Sequence, residues 1–204
     1  MSGQKRKAKG ANQTAMAILG GGLAVVLVLG GYAMFRGPGA SLPADQPMDK
    51  EEKAACTHSP VRASMEGLER VPCTTANHVP EGQTVTYSSD PPLSGEHYPT
   101  WINPGFYTQL PPKEKLVHSL EHGHVVIYYD QARLSASEMA ALEKLARRYK
   151  GMWDGVSAVP KAGEHAIILT AWEHMLRLER YDQSRIDAFV DAFRGRGPEN
   201  PVRP

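Results

Sequence analysis

HVVIYYDQARLSASEMAALEKLARRYKG, residues 124–151, decides the fold. After His124 come five apolar or aromatic residues without a polar break, the composition of a buried strand. Ser135-Ala136-Ser137-Glu138 follows the S-x-x-E pattern of a capping box, whose serine and glutamate satisfy N–H groups left open in the first helical turn. Met139, Leu142, Leu145, Ala146 and Tyr149 then recur on one helical face, and Gly151 stops the helix. A buried strand feeding an amphipathic helix is half of a layered sheet domain.

Toward the C-terminus, Val156 to Val159 reads as a short strand ended by Pro160, and Ala166 to Trp172 as another. Lys161-Ala162-Gly163 between them predicts a hairpin. The charged stretch WEHMLRLERYD, residues 172–182, reads as solvated, His174 included. A last helix begins near Gln183, with Ile186, Phe189, Val190 and Phe193 at i, i+3, i+4, i+7. Gly195 ends it, and residues 196–204 read as a flexible tail. The order is β-α-β-β-α: an α+β domain, residues 56–195, with two helices on one face of a small sheet.

Toward the N-terminus, residues 77–112 are rich in turn formers, and the prolines forbid long helices there. Gln83 to Tyr87 alternates briefly and predicts an edge strand. So long an irregular segment inside a compact domain often carries function. Its aromatics, Tyr98, Trp101, Phe106 and Tyr107, read first as a small core holding the loop. The alternative is a platform for a sugar or peptide.

Before the domain, residues 15–35, AMAILGGGLAVVLVLGGYAMF, carry no charge. A helix of that length spans roughly 31 Å, the thickness of a bilayer core. Lys5, Arg6, Lys7 and Lys9 precede it in a basic tail, residues 1–14. One Arg36 and then Asp45, Asp49, Glu51 and Glu52 follow. The positive flank stays in the cytoplasm, which predicts a single-pass plasma-membrane protein with its N-terminus cytoplasmic and its domain extracytoplasmic. A cleaved signal peptide with a Gly31-Tyr32-Ala33 site is the rival reading, and it exports the domain too. Ala17/Gly21 and Gly20/Ala24 are small-xxx-small pairs that allow a homodimer. Residues 36–55, rich in Pro, Gly, Ala and charge, read as a flexible linker.

With 41 % hydrophobic and 22 % charged residues, the chain has a globular balance. Its net charge of +1, with no basic stripe in the folded part, argues against nucleic acid as a partner. Only Cys56 and Cys73 occur. Outside the cytoplasm such a pair most simply forms a disulfide, since its spacing fits neither a C-x-x-C redox motif nor a zinc finger.

The chemistry concentrates in histidine. Five of the eight lie between His78 and His124. In a helix ended by Gly123, His118, Glu121 and His122 fall at i, i+3, i+4 on one face. Two imidazoles one turn apart can share a metal ion, and the carboxylate beside them can ligate, orient or act as a base. His97, in the tight Ser94-Gly95-Glu96-His97-Tyr98 turn, is the natural third ligand. Zinc or copper is then the expected ion. Glu121, Glu96 and His165 are possible additional ligands, while His58, His78, His124 and His174 read as surface or satisfied residues. H-x-x-E-H is also, letter for letter, the inverzincin motif, but a strand starts directly after Gly123 and the helix is short. Two alternatives stand beside metal binding. One is a cell-envelope scaffold or interaction module whose imidazoles pin the loop by hydrogen bonds to backbone carbonyls. The other is a zinc-dependent hydrolase with Glu121 as general base.

At these residues the chain resembles a known family. His78-Val79-Pro80, Pro91-Pro92-Leu93-Ser94-Gly95-Glu96-His97-Tyr98, Leu116-Val117-His118-Ser119-Leu120-Glu121-His122-Gly123 and Thr170-Ala171-Trp172 are similar to the hallmark stretches of domain-of-unknown-function family 3105. Its members are mostly bacterial and often single-pass membrane proteins. The resemblance covers about residues 70 to 195 and implies no activity. Two residues depart from its pattern: Glu96 stands where proline is expected, and Glu173 where glycine is expected.

Overall fold

The computed structural model describes residues 56–58, 61 and 63–204. The expected basic tail, membrane span and linker, residues 1–55, lie outside the described residues. Among the described residues no helix is long and apolar enough to cross a membrane.

Six strands form one mixed sheet: β1 (Leu68–Arg70), β2 (Gly105–Phe106), β3 (Val125–Tyr129), β4 (Val156–Pro160), β5 (Ile167–Ala171) and β6 (His174–Leu178). Their spatial order is β1-β6-β5-β3-β4-β2. β3 is central, parallel to β4 on one side and antiparallel to β5 on the other. Among the described residues three α-helices pack on it: α1 (Lys113–Glu121), α2 (Ala136–Arg148) and α3 (Gln183–Phe193).

The uninterrupted apolar run of β3 has its reason in this layering, because both of its faces are covered. Val125, Ile127 and Tyr129 pack with Leu142 and Leu145 of α2 and with Ile186, Phe189 and Val190 of α3. Val126 and Tyr128 face the other way, onto Leu116, Val117 and Leu120 of α1 and onto Leu93 and Ile102 of the long loop. The two helices expected on one face are α2 and α3. The opposite face, which the sequence reading left open, is roofed by α1 and the loop.

The capping box of α2 forms as read: Ser135 Oγ accepts from the Glu138 N–H, and the Glu138 carboxylate accepts from the Ser135 N–H at 2.7 Å. Other expectations need correction. Lys161–Gly163 makes no hairpin, because β4 and β5 do not pair; β3 lies between them. The connection crosses the end of β3, with Lys161 N–H donating to Tyr129 O and Asp130 N–H to Ala166 O. β2 occupies the outer edge of β4, and the return runs antiparallel along the other edge of β3. Gln83 to Tyr87 forms no strand; the Val85 N–H that a ladder would use donates instead to Glu114 Oε1, 3.3 Å away. The core order is therefore β-α-β-β-β-α, with β6 added.

β6 lies in the stretch that reads as solvated, because charged neighbours mask its alternation. His174, Met175, Leu176 and Leu178 are buried, and only Arg177 is partly exposed. The hairpin that exists is β5–β6, turning at Trp172 and Glu173. Glu173 has φ of +66°, the left-handed region where the glycine expected at this position would be at ease. Here the glutamate side chain is fully buried and accepts from Cys73 N–H (2.8 Å), Arg70 Nη2 (2.9 Å) and His58 Nδ1. It thereby ties the hairpin to the segment carrying the Cys56–Cys73 disulfide, which is present as expected. Burial pushes the Glu173 carboxyl up, but the bonds from Cys73, His58 and Arg70 outweigh it and hold the group below its ordinary value of 4.5. A depressed folded value means stability that is present above the unfolded value and lost as pH falls through the folded one. Glu173→Gln is expected to cost about 2 kcal/mol near neutral pH. In melting curves from about pH 7 down to about pH 3 the gap to wild type should close on the acid side; a gap constant with pH refutes the assignment.

Residues 196–204, expected to be a flexible tail, have no regular secondary structure but fold back on the domain. Gly195 N–H donates to Gly123 O at 2.8 Å, and Val202 and Arg203 N–H groups donate to Gly195 O.

Candidate metal centre

Three parts of the chain meet above α1. The helix starts after Pro112, whose fixed φ suits a helix entrance, and ends before Gly123, whose φ is +88°. Over that single short helix, His118, Glu121 and His122 keep the i, i+3, i+4 relation and project to one side. The long loop supplies two more histidines. Val79 N–H donates to His97 O (2.8 Å) and His97 N–H to Asn77 O (3.1 Å), so a small parallel bridge sets His78 and His97 side by side. Gly95, at φ of +123°, makes the tight turn that brings His97 inward. The tail adds Glu199.

The ring geometry is specific. His97 is fully buried, and its Nδ1–H donates to Gly95 O at 2.7 Å. His118 is also buried, and its Nδ1–H donates to Tyr98 O at 2.6 Å. A carbonyl oxygen can only accept, so each ring is left with Nε2 to offer inward. His97 Nε2 makes no hydrogen bond, although Glu121 Oε2 stands 3.0 Å away. His118 Nε2 faces His122 Nε2 at 3.0 Å. His122 Nε2 in turn lies 3.0 Å from Glu199 Oε2. The His78 ring stacks on His118, with centroids 5.0 Å apart.

Two groups of ligand atoms result, each with all its members within 4.8 Å of one another: His78, His97, His118 and Glu121, and then His118, His122 and Glu199. A tetrahedral zinc ion with bonds of 2.0–2.1 Å needs ligand atoms about 3.4 Å apart, so modest side-chain adjustment suffices. Fixing Nδ1 on a backbone carbonyl is how ligating histidines are commonly held, because it sets the tautomer and aims Nε2.

The electrostatics favour neutral imidazoles. Burial lowers the affinity of His118 for a proton, only partly offset by the Tyr98 carbonyl. Burial, then His118 and His124, push His122 down to about 4. At neutral pH these rings therefore present lone pairs, the form that binds metal. Trp101 covers His118 and His122 at centroid distances of 5.3 and 4.4 Å, and Trp153 flanks His122 at 4.3 Å. Trp101 is itself partly open to solvent.

Of the residues expected from the sequence, the structure brings together His97, His118, His122 and Glu121. His97 and His122 do not share one group; His118 links them. Glu96 and His165 belong to neither group. Glu96 contributes only its carbonyl, which accepts from the Tyr87 hydroxyl, and His165 Nδ1 lies 2.8 Å from Glu179. His78, read as loop surface, is exposed yet stands in the first group. It had no local signal: the backbone bridge to the His97 turn places it there. Glu199 had no local signal. His124 Nε2–H donates to Met152 O at 2.7 Å while its buried Nδ1 has no hydrogen-bond partner, and His174 is buried rather than solvated. The aromatics do not form one cluster: Phe106 stacks on Tyr129, Tyr98 packs with Val79 and Val85, and Trp101 covers the histidines.

Fold and site together define a class: a mixed-sheet domain whose roof carries a buried histidine–carboxylate cluster. The chain belongs to the family described as protein of unknown function DUF3105, whose family model matches residues 78–203. That span contains His78, His97, His118, Glu121, His122 and Glu199. No curated protein and no solved structure matches the chain.

Proposed function

We propose that this protein is a divalent metal-binding module which holds zinc or copper(II) through His78, His97, His118 and Glu121. One observation carries the reading. His97 has its Nδ1 committed to the Gly95 carbonyl, so its buried Nε2 points at a carboxylate oxygen 3.0 Å away. A lone pair facing a carboxylate is repulsive unless a proton or a metal ion lies between them. His118 Nε2 and His122 Nε2, 3.0 Å apart, share one proton in the metal-free protein, His122 Nε2–H donating to the His118 lone pair. A metal ion turns these contacts into bonds, and imidazole with carboxylate is a donor set suited to zinc and copper(II).

The scaffold reading shares the carbonyl bonds of His97 and His118, which do pin the loop to α1. It does not account for the inward convergence of the remaining nitrogens on carboxylates. The hydrolase reading needs an open coordination position and a free base. The four-residue group fills a tetrahedral shell and uses Glu121 as a ligand, which favours holding an ion over activating water. The anchor in residues 15–35 would place this module on the extracytoplasmic side of the plasma membrane, reachable by ions that arrive from outside the cell.

Elemental analysis of the purified full chain after incubation with each ion tests the proposal. Close to one equivalent of zinc or copper is expected, lost from His97→Ala under the same wash. Absence of both metals from the wild-type chain refutes it in favour of the scaffold.

A further inference from the structure

His118 belongs to both ligand groups, and this has a consequence for how an ion moves. Its Nδ1–H is held by the Tyr98 carbonyl, so it has one nitrogen to give. One imidazole nitrogen binds one ion. The two groups therefore cannot both be filled through His118.

They also differ in kind. The His78, His97, His118 and Glu121 group offers four donors, a complete shell for zinc. The His118, His122 and Glu199 group offers three, and its carboxylate is 45 % exposed, on the tail. A three-donor set with a solvent-facing carboxylate can seize an ion that still carries an outside ligand. It cannot complete the shell. The tail is held in register for this: Glu199 N–H lies against Glu121 O, and the Gly195 N–H donates to Gly123 O. A Cβ at Gly123 would stand 2.6 Å from Gly197 N, so the two glycines let the tail backbone come down onto the end of α1.

We infer that the cluster is a two-position metal relay, in which His122 and Glu199 capture the ion and His118 carries it to the four-donor position. The inference rests on the metal-binding reading above. In the hand-over the His118–metal bond is kept. Bonds to His122, Glu199 and the outside ligand break, and bonds to His97, Glu121 and His78 form. No electron moves, the ion keeps its charge, and any proton held on His97 Nε2 in the empty state is released to water.

Trp101 and Trp153 lie against these rings, so copper(II) uptake by the full chain can be followed as quenching of tryptophan emission in a stopped-flow instrument. Glu199→Gln is expected to take up the ion more slowly than wild type by roughly tenfold or more, because capture loses its carboxylate. His165→Ala, an imidazole outside the cluster, is expected to keep the wild-type rate. His97→Ala is expected to bind copper(II) weakly at the capture position, as a quench that the added Glu199→Gln abolishes. Wild-type uptake of one equivalent with an unslowed Glu199→Gln overturns the relay while leaving the metal site standing. Simultaneous tight binding of two equivalents overturns the sharing of His118. No binding by the wild-type chain overturns both the relay and the metal reading.

Discussion

His118→Ala is expected to lower the affinity for zinc or copper(II) by more than about 100-fold, beyond the range seen when only a residue supporting a ligand is changed. The reason is positional. His118 is the single residue present in both ligand groups, so its removal leaves His78, His97 and Glu121 on one side and His122 with Glu199 on the other. Neither remnant is a four-donor shell. The substitution also deletes the bond to Tyr98 O, and so part of the loop's attachment to α1. The two effects separate in a melting experiment. If the histidines serve metal, the wild-type chain loses stability on adding chelator, because an ion bound only to the folded state stabilises it by mass action, and His118→Ala does not respond. If they serve structure alone, both proteins melt at temperatures indifferent to chelator, with the variant merely lower. Isothermal titration of both chains with each ion measures the affinity directly. A loss under tenfold by that measure would remove His118 from the coordination shell.

Gly123→Ala is expected to destabilise the domain by about 3 kcal/mol, combining a strained backbone with overpacking. Gly123 has φ of +88°, outside the range an L side chain adopts with ease, and it ends α1 immediately before β3 begins. An added Cβ would meet Gly197 N at 2.6 Å and Trp153 O at 2.9 Å. Both are backbone atoms, which cannot swing aside as a flexible side chain would. For a domain of this size the loss corresponds to a fall in melting temperature of about 6–12 °C. Gly163→Ala is the matched control: nothing stands within 4 Å of its new Cβ, and a change within about 0.5 kcal/mol is expected. The Gly123 variant should also bind copper(II) more slowly, because lifting the tail carries Glu199 away from His122. A melting temperature equal to that of the control would mean that the helix end and tail do not pack as described.

Local periodicity sufficed wherever one element answers to its own residues. The capping box of Ser135 and Glu138, the apolar stripe of α2, the run of β3 and the Ile186–Phe193 stripe of α3 each carry the spacing of the element they form, because burying one face demands it. The same holds for His118, Glu121 and His122, whose shared side is a property of any helix. The failures share one physical cause. Strand pairing is non-local, so nothing within residues 160–166 shows that β3 separates β4 from β5, and the apparent hairpin was a crossover. β6 is buried by its neighbours despite its charged flanks. Glu173 explains itself only once Cys73, Arg70 and His58 are seen around its carboxylate.

By itself the sequence determined the helices, the central strands, the disulfide pair and the one-sided trio on α1, since each follows from spacing along a few turns of chain or from a count of two cysteines. Only the tertiary structure decided that His78 stands beside His97, that the tail returns Glu199 to His122, and that Glu96 and His165 stay away. Those are distances between segments far apart in the chain, set by backbone bridges and by glycine contacts that no local pattern encodes.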